Sequence, residues 1–173
     1  MERVFEASWD ARARTGTAIV LVVLTGAAAF LASAAQRLPE EARPLALAVA
    51  LAPILLTGLG SWAWAPRAFA VTREAVRVDR RLARPLLFPL AAIRSARRLE
   101  PGALRGSIRL FGVGGFFGYY GTFRNRALGN YRIYATRTDA QVLLATDRGP
   151  LVLTPERPDA FLQAIEEARA ARG

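Results

Sequence analysis

Two long runs without a charged residue constrain the fold of this chain more than any other feature. Residues 17–35 give nineteen uncharged positions and residues 44–66 give twenty-three. At a rise of about 1.5 Å per residue, the shorter run makes a helix about 28 Å long, which is close to the hydrocarbon thickness of a bilayer. The runs therefore predict a two-helix transmembrane hairpin, with helices at about 17–35 and 44–65.

Two other interpretations of these runs are open. Each could be a buried helix of a soluble domain, although neither has the polar face that a surface helix needs, and only residues 36–43 separate them. The first run could also belong to a cleaved signal peptide, because Ala32, Ser33 and Ala34 match an A-x-A cleavage pattern, although the leader is net neutral. Pro53 in the second run predicts a kink that a membrane helix tolerates.

The positive charge lies in the second part of the chain. The net charge is +10; residues 1–65 hold five arginines and five acids, whereas residues 66–173 hold nineteen arginines and nine acids. Two arginines lie between the apolar runs and six lie in residues 66–85, so the positive-inside rule places the C-terminal part in the cytoplasm. We therefore expect the protein in the inner (cytoplasmic) membrane, with Trp62 and Trp64 in the inner aromatic belt.

The residue types limit the chemistry. The chain contains no cysteine and no histidine, which removes disulfides, thiolate nucleophiles, imidazole bases and the common zinc ligands. The carboxylates after residue 66 mostly fall at predicted turns or on a helix surface, and no paired-acid or G-x-S-x-G motif occurs. We expect no catalytic residue, no metal site and no cofactor.

Alternating apolar and polar residues predict a sheet-rich domain at residues 66–173, after a polar lead-in at residues 1–16. The lead-in contains Phe5 and Trp9, and it could lie at the membrane surface or add a strand to the sheet. Strands are predicted at residues 68–72, 75–80, 84–90, 91–99, 131–136, 141–146 and 151–154. The third segment carries Pro85 and Pro89, which favours an edge strand. We expect the last three strands in meander order, with a turn at residues 147–150.

The domain ends in a predicted amphipathic helix at about residues 158–172, with an apolar stripe of Phe161, Leu162, Ile165 and Ala168. Six or seven strands closed by one helix resemble a pleckstrin-homology (PH)-like antiparallel barrel. The motifs FAVTREAVRVDR, GYYGTFR, LGNYRIYAT and TPERPDAF make the chain similar to a family of bacterial membrane-anchored PH-like proteins over roughly residues 68–168. The resemblance implies an α+β membrane protein with a binding or scaffolding role, and no active site to carry over.

A glycine-rich and aromatic stretch at residues 111–137 is the most distinctive part of the domain. Its spacing G-x-G-G-x-x-G does not match the dinucleotide motif G-x-G-x-x-G, and neither a Lys-Ser/Thr pair nor a periodic helix follows. We therefore interpret it as a barrel-forming segment with a tight or bulged backbone. Its aromatic, flexible loop, followed by arginines, could dock on anionic lipid, which attracts each arginine by about 1 kcal/mol, or it could only close the barrel.

The expected function is a non-catalytic, membrane-tethered interaction or adaptor module at the cytoplasmic face. It would bind anionic lipid head groups or an unknown protein partner, the latter by strand addition to an open edge beside the closing helix. The predicted lipid- or partner-binding residues are Arg94, Arg97, Arg98, Tyr119, Tyr120, Phe123, Arg124 and Arg126. A membrane-tethered nucleic-acid-binding domain is the disfavoured alternative, suggested by the net charge and by the interleaved tyrosines and arginines of residues 131–137.

Overall fold

Within residues 2–171, which the computed structural model describes, the protein has three α-helices and ten β-strands. The helices are α1 (Ala11–Ala35), α2 (Arg43–Trp64) and α3 (Pro158–Ala170). The strands are β1 (Arg3–Glu6), β2 (Pro66–Val71), β3 (Ala75–Arg80), β4 (Leu86–Pro89), β5 (Ile93–Arg98), β6 (Ile108–Gly114), β7 (Tyr119–Asn125), β8 (Gly129–Ala135), β9 (Val142–Thr146) and β10 (Gly149–Leu153).

Helices α1 and α2 form a hairpin that is almost entirely outside the protein core. Their most apolar 18-residue windows have mean hydropathies of 2.3 and 1.9, and 6% and 0% of those windows are buried. They are therefore not the core helices of a soluble domain. Helix α1 begins at Ala11, before the apolar run, because the Asp10 side chain caps it by accepting a hydrogen bond from the Ala13 N–H at 2.7 Å.

The lead-in contributes a strand to a four-stranded antiparallel sheet in the order β1-β2-β3-β4. Of the two interpretations left open for residues 1–16, the added strand is the one that forms, with Phe5 opposite Phe69. Phe5 is 4% exposed, and its ring meets that of Phe161 edge-on at 5.2 Å. Strand β4, which ends at Pro89, is an edge strand as predicted. Since β1 precedes α1 and β2 follows α2, this sheet continues directly from the helical hairpin.

The second sheet has six strands in the order β5-β9-β10-β8-β7-β6. The predicted meander of the last three strands is wrong: β10 lies between β9 and β8, antiparallel to β9 and parallel to β8, with Val152 opposite Ile133. The Thr136 N–H donates to the Thr154 hydroxyl at 3.0 Å, and both residues are fully buried. This contact holds the ends of β8 and β10 together, so β9 must lie on the far side of β10.

The two sheets pack face to face and do not close into the expected barrel. A short 3-10 turn, Leu90–Ala92, carries the chain from one sheet to the other, and no backbone ladder joins the two sheets within the described residues. Phe69 of the first sheet and Leu144 of the second belong to the same core cluster, which α3 completes with Phe161 and Ile165. The C-terminal helix therefore covers an open sandwich, and it does so with predicted stripe residues.

The glycine-rich stretch, which we interpreted as a barrel-forming segment with a tight or bulged backbone, forms the β6–β7 hairpin and continues into β8. Gly112 and Gly121 lie opposite each other with φ angles of 112° and 125°, and a β-carbon on either would clash with a backbone carbonyl oxygen of the other strand. Glycine is therefore required where the two backbones approach closely. The hairpin tip, residues 115–118, is closed by a hydrogen bond from the Gly115 N–H to the Gly118 carbonyl oxygen at 2.9 Å.

The six-stranded sheet extends beyond the first sheet. The core cluster that both sheets share contains residues from β5, β9 and β10, with Tyr134 of β8 packed against it, but, among residues 2–171, none from β6 or β7. The face of β6 and β7 turned towards the first sheet, here called the inner face, is therefore left uncovered by it. The opposite, outer face is covered by the loop at residues 99–107, where Leu99 and Leu104 pack with Phe123 and Tyr131.

Candidate functional site

The β6–β7 hairpin fastens the sheets to both helices. At its tip, the Phe117 N–H donates to the Thr17 hydroxyl at 3.0 Å, and the Phe117 ring meets the Trp9 ring at 5.9 Å. Further along β7, the Tyr120 hydroxyl donates to the carbonyl oxygen of Ser61, in the last turn of α2. These contacts connect the sheets directly to both helices of the hairpin.

All three tryptophans of the chain meet two consecutive arginines at this junction. The guanidinium carbon of Arg80 lies 4.9 Å from the ring centroid of Trp64, and that of Arg81 lies 5.7 Å from those of both Trp9 and Trp62. Each such cation–π contact stabilises by about 0.5–1 kcal/mol when exposed to solvent. We call these five residues the arginine–tryptophan girdle.

The predicted arginines of β5 lie far from this junction. Arg94, Arg97 and Arg98 are exposed on an edge strand that is four strand spacings, or about 19 Å, from β7. Arg94 pairs with Asp147 at 2.7 Å and Arg98 pairs with Asp159 at 3.0 Å. The structure therefore does not bring the β5 arginines together with the other predicted residues, and their role in binding stays a prediction.

The two predicted arginines of the glycine-rich stretch are exposed, and neither forms an ion pair within residues 2–171. Arg126 lies in the turn after β7, whereas Arg124 lies on β7 opposite Asn130. Thr122, two residues before Arg124, is opposite Arg132 of β8. Because residues two apart on a strand share a face, Arg124 and Arg132 are diagonal neighbours on the inner face.

The predicted aromatic residues divide between the two faces of β7. Tyr119 and Phe123 point to the outer face, and Tyr120 points to the inner face, as strand alternation requires. A cavity lies against each face. The outer-face cavity, of about 400 Å³, is lined by Tyr119 and Phe123 together with Arg12 and Arg105. Burial raises the pKa of Tyr119, which keeps its hydroxyl protonated.

The inner-face cavity lies between the C-terminal end of α2 and the uncovered face of β6, β7 and β8. Its volume is about 710 Å³, and its walls include Trp64, Phe111 and Tyr134 as well as Arg80 and Arg132. No carboxylate lines the cavity among the described residues. The Nη2 atom of Arg132 is buried without a hydrogen-bond partner in the part of the chain that the structure describes. Such a group in a folded protein needs an explanation, because leaving it unsatisfied costs free energy.

The part of the chain that forms the two sheets and α3 matches a known protein family. Residues 67–169, well over half of the chain, match the bacterial PH domain family. The chain belongs to this family. The resemblance predicted from the sequence motifs is thereby confirmed. No curated protein and no solved structure matches the chain. PH domains are generally non-catalytic, which agrees with an interaction module.

Two tyrosines of the bacterial PH domain that line the inner-face cavity have raised pKa values. Burial raises the pKa of Tyr120 to about 12, although the Ser61 side chain acts in the opposite direction. Burial also raises the pKa of Tyr134, while the charges of Arg132 and Arg80 oppose that shift. Both guanidinium groups line the same cavity as this phenol.

Both arginines that line the inner-face cavity are missing from the residues that the sequence pattern predicts. Neither Arg80 nor Arg132 is among them, and the one available signal is that Arg132 and Tyr134 are two apart in a predicted strand of the PH domain. The same strand does not provide an exposed stacking surface for nucleic acid. Tyr131 is 2% exposed, with its hydroxyl 2.8 Å from the Ser107 hydroxyl, and Tyr134 packs against Phe88.

Proposed function

We propose that this bacterial PH domain protein is a membrane-anchored, non-catalytic interaction module whose PH domain is held rigidly at the cytoplasmic face of the inner membrane. The arginine–tryptophan girdle carries the proposal. Tryptophan is enriched where membrane meets water, and the girdle lies at the domain end of two exposed apolar helices. Its rings and guanidinium groups mark the expected level of the lipid head groups.

The charge distribution supports the cytoplasmic orientation. At the domain end of the hairpin, Arg12 and Arg14 add to the six arginines of residues 66–85. The opposite end has Arg37 and Arg43, and a glutamate next to Arg43 in space, Glu40, partly offsets that charge at 3.7 Å. Because short flanking segments rich in arginine stay in the cytoplasm, the domain end is assigned to that side.

Cysteine accessibility tests this topology without background, because the chain has no cysteine of its own. We would place single cysteines at two exposed positions, Glu41→Cys between the helices and Arg148→Cys in the β9–β10 turn. A membrane-impermeant maleimide applied to intact spheroplasts should label Glu41→Cys at once and Arg148→Cys only after permeabilisation. The reverse pattern would contradict the orientation, and release of the chain by alkaline carbonate would contradict the anchor.

A second candidate function, recognition of a protein partner by strand addition, is favoured by β6. This strand is an open edge, and its Ile108, Leu110 and Phe111 side chains are 68%, 53% and 77% exposed. A photocrosslinking residue in place of Leu110 should trap a discrete partner in native membranes. Leu87, 65% exposed on the edge strand β4, is the matched control position, and equal products from both positions would speak against a specific partner at β6.

A further inference from the structure

The inner-face cavity runs along the last two turns of α2. Four residues of this helix line it, Thr57, Gly60, Ser61 and Trp64, and their spacing places them on one helical face. Thr57 and Trp64 are separated by about 10 Å along the helix axis. Thr57, Gly60 and Trp64 are exposed, so this wall is open to whatever surrounds the helix. The cavity therefore extends from the level of the girdle into the apolar part of the hairpin.

One end of the cavity is positively charged. Arg132 has a buried Nη2 atom without a partner, and Arg80 uses two of its nitrogen atoms to donate to the carbonyl oxygen of Arg84. Neither Arg80 nor Arg132 has a carboxylate partner within residues 2–171. Arg124 adds a third guanidinium group on the same face of the sheet. An anion with several acceptor oxygens in the cavity would give Arg80 and Arg132, which both line it, the charged partner that they lack, as phosphate does for arginine.

The rest of the cavity wall is apolar. Phe111, which is 77% exposed, and Val113 lie on β6, and Trp64 faces them from α2. A small free anion would leave this wall in contact with water, and a purely apolar molecule would leave the arginines unpaired. The volume of about 710 Å³ lies within the usual range for ligand sites. Its occupant must combine an anionic head with an apolar body.

We propose that the inner-face cavity binds one anionic phospholipid of the surrounding leaflet. The phosphate group accepts hydrogen bonds from Arg132 and Arg80, the glycerol portion lies against Tyr134 and Trp64, and an acyl chain runs along α2 past Thr57. This inference rests on the proposed function, because the lipid reaches the cavity only if the helices lie in a bilayer. The surface arginines that the sequence predicts do not form this site, because the residues that bind the phosphate group are Arg132 and Arg80.

Binding is measured on the full-length protein in a non-ionic detergent by native mass spectrometry, which resolves bound lipid by mass. The probe is short-chain phosphatidylglycerol. Phosphatidylcholine of the same chain length and inorganic phosphate are the comparison ligands. We expect saturation at one phosphatidylglycerol per chain and at least tenfold weaker binding of both comparison ligands. Among the residues that the structure describes, the cavity has no carboxylate for a choline group, and inorganic phosphate has no apolar body.

Two variants test the location of the site. Arg132→Gln removes the charge and should weaken phosphatidylglycerol binding by about tenfold or more, as expected for loss of a charge-assisted hydrogen bond. Arg148→Gln makes the same change in an exposed turn and should change binding by less than twofold. Gly60→Leu keeps every charge but fills the cavity, and a β-carbon at Gly60 meets no atom within 4 Å. Gly26→Leu is its control, since Gly26 is equally unobstructed and lines no cavity described above.

Each result decides the proposal. Selective loss of binding in Arg132→Gln and Gly60→Leu supports it, and Gly60→Leu alone suffices if Arg132→Gln does not fold. Equal binding by Arg132→Gln and Arg148→Gln overturns it in favour of general charge attraction. Equal binding of inorganic phosphate overturns the lipid assignment, and equal binding of phosphatidylcholine overturns the requirement for an anionic head group. Because binding in detergent does not depend on orientation, failure here is distinguishable from failure of the topology experiment.

Discussion

Replacement of Asp10 tests how α1 is held against the PH domain. One carboxylate oxygen, Oδ1, accepts the Ala13 N–H at 2.7 Å and caps α1. The other, Oδ2, accepts the N–H and the hydroxyl of Thr138 at 2.7 and 2.8 Å. A single side chain therefore joins the start of the helical hairpin to the connection between β8 and β9.

The expected magnitude follows from these contacts. Loss of an N-cap costs about 0.5–2 kcal/mol, and loss of a hydrogen bond to a charged acceptor costs about 1.5–3 kcal/mol. Because Asp10 is half-buried and water replaces part of what is lost, we expect Asp10→Ala to lower the free energy of unfolding by about 3 kcal/mol. Asp10→Asn retains one acceptor oxygen, which can accept hydrogen bonds from either Ala13 or Thr138 but not from both. This variant should therefore lower the free energy of unfolding by about half as much as Asp10→Ala.

The assay is thermal unfolding of the full-length protein in detergent, followed by tryptophan fluorescence, since all three tryptophans lie in the girdle. At about 2–4 °C per kcal/mol for a chain of this size, Asp10→Ala should lower Tm by about 6–12 °C. Glu41→Ala, at an exposed position between the helices, is the control and should change the stability by less than about 0.5 kcal/mol. The reasoning is refuted if Asp10→Ala behaves like Glu41→Ala, or if Asp10→Asn matches the wild type.

Three further predictions address the sandwich and the hairpin. Phe5→Ala should lower the free energy of unfolding by about 3–5 kcal/mol in chemical denaturation. Val4→Ala, at a position 54% exposed on the same strand, should lower it by less than about 1 kcal/mol. Equal losses in the two variants would mean that β1 does not contribute to the core. The pKa of Tyr120 is raised from 10.0 to about 12, so its stabilising effect is complete below pH 10 and is lost as the pH rises through 12. Ultraviolet titration of the wild type should show a tyrosine ionising near pH 12, and this ionisation should be missing from Tyr120→Phe. Identical titration curves for the two proteins would contradict the burial of the Tyr120 hydroxyl. Gly121→Ala should lower Tm, because the added β-carbon clashes with the backbone of β6 at a position of positive φ. Gly26→Ala, with free space around it, should leave Tm unchanged. An unchanged Tm for Gly121→Ala would mean that β6 and β7 can move apart with no loss of stability.

The strands of the domain were largely predictable because alternation is a local property. The pattern around Val76 and Val78 predicted β3 at its observed bounds, and the prolines predicted β4 as an edge strand. The β6–β7 hairpin was harder to predict, since glycine at positions such as Gly112 and Gly121 weakens the alternation signal. Their requirement for glycine comes from an approach between two backbones, and that approach exists only once the strands have paired.

The candidate site was predictable only in fragments. The aromatic and basic residues of β7 were expected to act together, but alternation places Tyr120 on one face and Tyr119 on the other. Arg80 and Arg132 lie on strands of different sheets, and no local pattern relates them. Their convergence depends on the six-stranded sheet extending past the first sheet, and in that sheet β10, not β9, is the neighbour of β8.

The sequence by itself determined the two apolar helices, most of the strands and the closing helix, because helix length, hydropathy and residue alternation are properties of neighbouring residues. Its motifs, by their resemblance to known proteins, also predicted the membership in the bacterial PH domain family. The tertiary structure alone decided the strand order, the open sandwich, the strand formed by the lead-in, and the cavity between α2 and the sheet. These features depend on contacts between residues far apart in the chain, such as Tyr120 with Ser61 and Thr136 with Thr154. The free energies of such contacts cannot be predicted from the pattern of neighbouring residues.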